Sequence, residues 1–231
     1  MKFSKKTVLA AGIAMAATAT VAAPAAAQVN GIAYTSPEAV YLNSSARQAA
    51  YAEIANTYAT QLQQIETLQQ EADTLIASAD ANGDGNTTNE EIAANASVRT
   101  QLEQKQQQLA QASTPIAIAR YFVVEQLMNN YDAVEQQVVS ANNVQFIFNP
   151  DVFQYAPPAA NITEKMITQF NASVPSVSAT PPANYQPRRT AITMHDTLQQ
   201  LLLYRAQAAA YQQQQQGAQQ AAQPAQQPTG R

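Results

Sequence analysis

Two long stretches of the chain carry apolar residues at helical spacing. From Ser45 to Ala79 there is no Gly or Pro, and Tyr51, Ile54, Tyr58, Ile65, Leu68, Ala72 and Leu75 take the a and d positions of a heptad, with Gln61 as a polar intruder. A straight helix over 45–79 would be about 52 Å long at 1.5 Å per residue. From about Asn89 to Ala141 a second stripe runs through Val98, Leu102, Leu109, Ala112, Ile116, Val123, Leu127, Val134 and Val138. Pro115 falls inside it and is expected to kink the helix or mark a joint, because proline lacks the N–H that the ladder needs. Two such helices separated by the polar segment Asp80–Glu91 predict an antiparallel hairpin.

The pattern changes on either side of this hairpin. Gly31-Ile32-Ala33-Tyr34 reads as a short strand (31–35), ended by Thr35-Ser36-Pro37. Val144 to Phe148 is rich in β-branched and aromatic residues. Asn149-Pro150-Asp151 follows as a turn, and Val152-Phe153-Gln154-Tyr155 reads as a further strand. A short helix is expected over 162–171, with Ile162, Met166, Ile167 and Phe170 on one face and Asn161 or Thr163 as its cap. Pro175, Pro181, Pro182 and Pro187 make 175–189 a linker. Helical character returns over 190–211, and the Gln/Ala/Pro stretch 212–231 lacks the apolar residues to fold alone.

Composition narrows the function. The first 27 residues pair Lys2, Lys5 and Lys6 with an uncharged Ala-rich run and then Pro24-Ala25-Ala26-Ala27, the grammar of an export signal cut after Ala27. Removing it takes away three lysines and no acid, so the formal charge moves from −4 to −7. An acidic chain without clustered Lys and Arg argues against nucleic acid as a partner. No Cys is present, which excludes disulfides, thiolate metal sites and a Cys nucleophile. No Gly-rich Lys loop is present for a nucleotide, and no catalytic residues are proposed: His195-Asp196 sits in an expected helix without a partner nucleophile. After the leader no apolar run is long enough for stable membrane insertion.

Asp80 to Glu91 matches the EF-hand spacing D-x-[DN]-x-[DN]-G-x5-E. Ca²⁺ takes six to eight hard oxygens. Asp80, Asn82 and Asp84 would give side-chain oxygens, Asn86 its carbonyl, Thr88 a direct or water-borne oxygen, and Glu91 both carboxylate oxygens, while Gly85 allows the sharp turn. The same residues also suit a plain Asx/Gly turn. One unpaired loop predicts weak binding, about 10⁻⁴–10⁻³ M.

A leader, a strand, a long helical hairpin, strands and a short helix, in that order, resemble the OmpH/Skp family of periplasmic chaperones for outer-membrane proteins. The local likeness lies in Gly31-Ile32-Ala33-Tyr34, in Val144 to Tyr155, and in Ile162-Thr163-Glu164-Lys165-Met166-Ile167, within a domain over 28–174. The resemblance implies an α+β, mostly α fold: a homotrimer whose strands build a small β-body from which antiparallel hairpins project as tentacles. It further implies an ATP-independent holdase of the periplasm that takes unfolded outer-membrane proteins as partners. Contacts with clients are then expected on the hairpin faces, at Tyr51, Tyr58, Leu62, Leu109, Ile116 and Ile118, with calcium at the tentacle tip. The alternatives are an exported coiled-coil scaffold that docks a partner through 190–211, and a calcium-binding protein.

Overall fold

A computed structural model describes residues 31–221, with side chains to 216, so the expected leader and the end of the expected tail lie outside the described residues. The elements run β1 (Ile32–Tyr34), α1 (Pro37–Leu42), α2 (Ser45–Thr57), α3 (Ala59–Ala77), α4 (Asn89–Ala94), α5 (Ala96–Ala141), β2 (Phe146–Phe148), α6 (Thr163–Ser173) and α7 (Arg189–Ala221). α2 and α3 run out along the hairpin and α4 and α5 return.

Local chemistry sets most of these boundaries. The Ser36 and Ser44 hydroxyls accept from the backbone N–H groups of Ala39 and Arg47, capping α1 and α2. α5 ends because Asn143 turns into the left-handed region, at φ 53, and the Val144 N–H reaches back to the Val139 carbonyl at 3.1 Å. Inside α5, Pro115 interrupts the ladder without ending the helix, which runs unbroken from Ala96 to Ala141. The outgoing helix is divided at Tyr58 instead, where φ −106 and ψ 23 leave helical values while the Tyr58 N–H still meets the Ile54 carbonyl at 2.9 Å. The return helix divides at Asn95, whose side chain caps α5 by accepting from the Val98 N–H.

The core lies at the hairpin's root. Tyr41 of α1 meets Tyr131 of α5 and Phe170 of α6 edge-on, with ring centroids 5.5 and 6.2 Å apart. Val40, Ile54, Val123, Leu127, Met166 and Leu198 are closed off around them. Edge-to-face rings and interlocked aliphatics of this kind are the main source of stability in so small a body. Farther out, the stripe of α3 lies on that of α5. There Leu68, Val98 and Ala112 are buried, and Lys105 pairs with Glu71 across the hairpin at 2.5 Å.

The sheet differs from the sequence expectation. β2 pairs with β1 in parallel, Ile32 to Phe146, Ala33 to Ile147 and Tyr34 to Phe148. Residues 152–155 form no strand. Pro150 starts a 3₁₀ turn through Val152, and the Phe153 N–H folds back to the Pro150 carbonyl at 3.1 Å, spending the donor a ladder would use. The aromatic pattern there serves packing rather than pairing, since Phe153 lies 5.7 Å from Tyr34 and 5.5 Å from Phe148.

Residues 175–189 are not a loose linker either. They lie along α5 as a strap. Gln126 accepts from the Ser178 N–H and donates to its carbonyl, and the Tyr185 hydroxyl donates to Glu125 at 2.7 Å. One amide side chain thus satisfies two backbone groups of a segment with too few neighbours to form its own ladder. α7 then packs on α5 through Ala191, His195 and Leu198, and continues as helix past residue 211 to Ala221, where a disordered tail was expected.

Candidate functional site: hairpin faces and tip loop

The residues between α3 and α4 form a loop held by its own side chains. The Asp80 carboxylate accepts from the Gly83 and Gly85 N–H groups, each at 2.8 Å. Asn82 accepts from the Asp84 N–H at 2.8 Å, and Asp84 from the Asn86 N–H at 2.7 Å. Gly83 and Gly85 take φ 72 and 80, which a Cβ would oppose. The loop closes on Glu91, which accepts from the Ala81 N–H at 3.1 Å and from the N–H and hydroxyl of Thr88 at 2.9 Å. These bonds, chiefly those from Thr88, hold the Glu91 carboxyl below the ordinary carboxylate range.

Thr88 and Glu91 therefore form a capping box at the start of α4. Asp80, Asn82, Asp84, Asn86, Thr88 and Glu91 are brought into one loop, and the side-chain oxygens of all but Asn86 accept from N–H groups of the loop and of the first turn of α4. Among the described residues no group of three or more His, Cys, Asp or Glu is gathered as a metal cluster.

The residues expected to meet clients fall into two groups. Tyr51, Tyr58 and Leu62 are half-buried against the core, and Leu109 and Ile118 are half-buried on α5. Ile116 is 3% exposed and belongs to the hairpin's own core, so it is closed to a client in this arrangement. Its a/d spacing marks it for the α2/α3–α5 seam rather than for an outer face.

The apolar surface that is open lies elsewhere. Phe146, Val152 and Tyr155 at the sheet end are 59, 63 and 82% exposed, and Leu203, Tyr204 and Tyr211 on α7 are similarly open. All three were expected in strands and only Phe146 lies in one; their exposure was not legible, because period-2 patterning says nothing about whether a second layer covers the sheet.

The family model described as OmpH: Outer membrane protein (OmpH-like) matches residues 31–170. The chain belongs to the OmpH-like family. The match begins at β1 and ends in α6 at Phe170, so it spans the body and the hairpin and leaves the strap and α7 outside. No curated protein and no solved structure matches the chain at a significant level. Among the described residues no helix of this OmpH-like protein is long and apolar enough to cross a membrane.

Proposed function

We propose that the protein is an ATP-independent periplasmic holdase for unfolded outer-membrane proteins. The observation that carries this reading is membership of the OmpH-like family over the whole body and hairpin. Three chains would join through their strand bodies, and their hairpins would enclose a client. A two-stranded sheet is marginal by itself, and the open Phe146, Val152 and Tyr155 give neighbouring bodies an apolar surface to cover. Clients would be held by many weak contacts with Tyr51, Tyr58, Leu62, Leu109 and Ile118, so avidity takes the place of one strong site.

The deciding experiment is light scattering of an unfolded outer-membrane barrel protein diluted into buffer with the protein and without nucleotide. Suppression near one trimer per client is expected. Unchanged aggregation would sink the reading.

The tip loop adds a calcium site to the same proposal. Asp80, Asn82, Asp84, Asn86, Thr88 and Glu91 have the spacing of oxygen donors for the ion, and the glycines already hold the turn it needs. Calcium titration should show weak saturable binding that Asp80→Ala with Asp84→Ala abolishes while leaving the assembly intact. Persistence in that double variant would reject the loop as the site.

The open Leu203, Tyr204 and Tyr211 support a second reading, a scaffold that docks a partner through α7. Deleting 175–231 separates the two, since a holdase keeps its suppression and a docking scaffold loses its partner.

A further inference from the structure

Arg47 is 6% exposed, on the first turn of α2, yet no acid accompanies it there. Its guanidinium carbon lies 4.4 Å from the centre of the Tyr51 ring, and that of Arg120, from α5, lies 5.8 Å from the same centre. The Nε atoms of both arginines and the Tyr51 hydroxyl are shut from solvent without a hydrogen-bond partner. Among the described residues neither guanidinium is in an ion pair; the ion pairs are Lys105–Glu71, Arg188–Glu125 and His195–Asp196.

An aromatic face attracts a cation through its quadrupole but brings no counter-charge and no acceptor for the N–H groups. The first turn of a helix adds positive potential rather than relieving it. His195 of α7 stands near both arginines: burial lowers its protonation first, and Arg120 and Arg47 lower it further against the pull of Asp196. Two guanidinium groups, from α2 and α5, therefore face one ring with no acidic partner among the described residues.

We propose that Arg47 and Arg120, flanking Tyr51 where α2, α5 and α7 meet, bind a small tetrahedral oxyanion of the phosphate class. Planar guanidinium forks match two oxygens of such an anion at once, and the Tyr51 hydroxyl supplies a further donor. The near-complete burial of Arg47 favours a small free anion over a lipid headgroup held in a bilayer. Bound there, the anion would tie α2 to α5 beneath α7, a link separate from the tip loop; it shares Tyr51 with the proposed client face, but through the hydroxyl end that is closed to solvent.

The test is calorimetric titration of the purified protein with inorganic phosphate against equal additions of chloride. Saturable binding of one phosphate per chain is expected, with sulfate competing and Arg120→Gln weakening it at least tenfold. Tyr51→Phe keeps the ring and should weaken binding severalfold, and far-ultraviolet dichroism shows whether each variant keeps its helices. No phosphate-specific heat, or equal affinity in folded Arg120→Gln, would overturn the proposal. Binding to phosphatidylglycerol vesicles without any response to free phosphate would overturn it too, by giving the site to a headgroup.

Discussion

Gly31 opens β1 at φ 71, a region that costs other residues about 1–2 kcal/mol. Its carbonyl accepts from the N–H groups of Gln145 and Phe146 at 2.6 and 2.8 Å, and a Cβ there would lie 2.9 Å from the Gln145 Cγ. Gly31→Ala should therefore lower stability by about 1–2 kcal/mol, the backbone term alone, because the Gln145 side chain can swing away. The urea midpoint of the variant measures it, and an unchanged midpoint would show that the β1–β2 pairing does not constrain this residue. Phe170 is the opposite case, fully enclosed against Tyr41. Phe170→Ala should cost about 3–5 kcal/mol, the range for emptying an aromatic site in a packed core. The sequence displays Phe170 openly, as the last apolar residue of a helical pattern. Gly31 was read as the first residue of the strand 31–35, and its left-handed angle was not legible, since that angle is dictated by a strand more than a hundred positions away.

The strap and α7 are held to α5 through Glu125. Burial raises this carboxyl, but the Tyr185 hydroxyl and the backbone and guanidinium of Arg188 outweigh it and leave the group below its ordinary range. A depressed acid stabilises the fold above its unfolded value, and that contribution is lost as pH falls through the folded one. Hydrogen exchange in residues 175–201 should therefore be slow near pH 6 and rise once the pH passes below the ordinary glutamate value of about 4.3. Glu125→Ala should show fast exchange at pH 6 already. Equal protection in the variant would mean that Leu198 and Ala191 hold α7 by themselves. At this scale the hairpin was the most legible element, because a long heptad stripe has no other way to bury itself. The strap was not, since its contacts depend on Glu125 and Gln126, residues that look like ordinary helix surface. Nor was the turn at Pro150, where β-forming residues were put to use as ring contacts.

For the molecule as a whole, the open aromatic end of the body sets the prediction. If three bodies meet there, light scattering after gel filtration should give the mass of three chains, and Phe146→Asp with Tyr155→Asp should give one. The same mass in both would place the assembly elsewhere. Family membership was readable from the order of elements, whereas the position of the open surface depends on which face the single chain leaves uncovered.

One ion pair between α3 and α5, Lys105 with Glu71, is present among the described residues, and the buried residues of that seam, Leu68, Val98 and Ala112, are apolar. Dissolved electrolyte screens charges beyond about 8 Å at physiological strength and leaves apolar burial almost untouched. The paired helices α3 and α5 should thus keep their packing across wide swings in salinity, while the Arg188–Glu125 clasp on α7 loosens as salt rises. The two parts of this protein answer to different properties of the surrounding fluid.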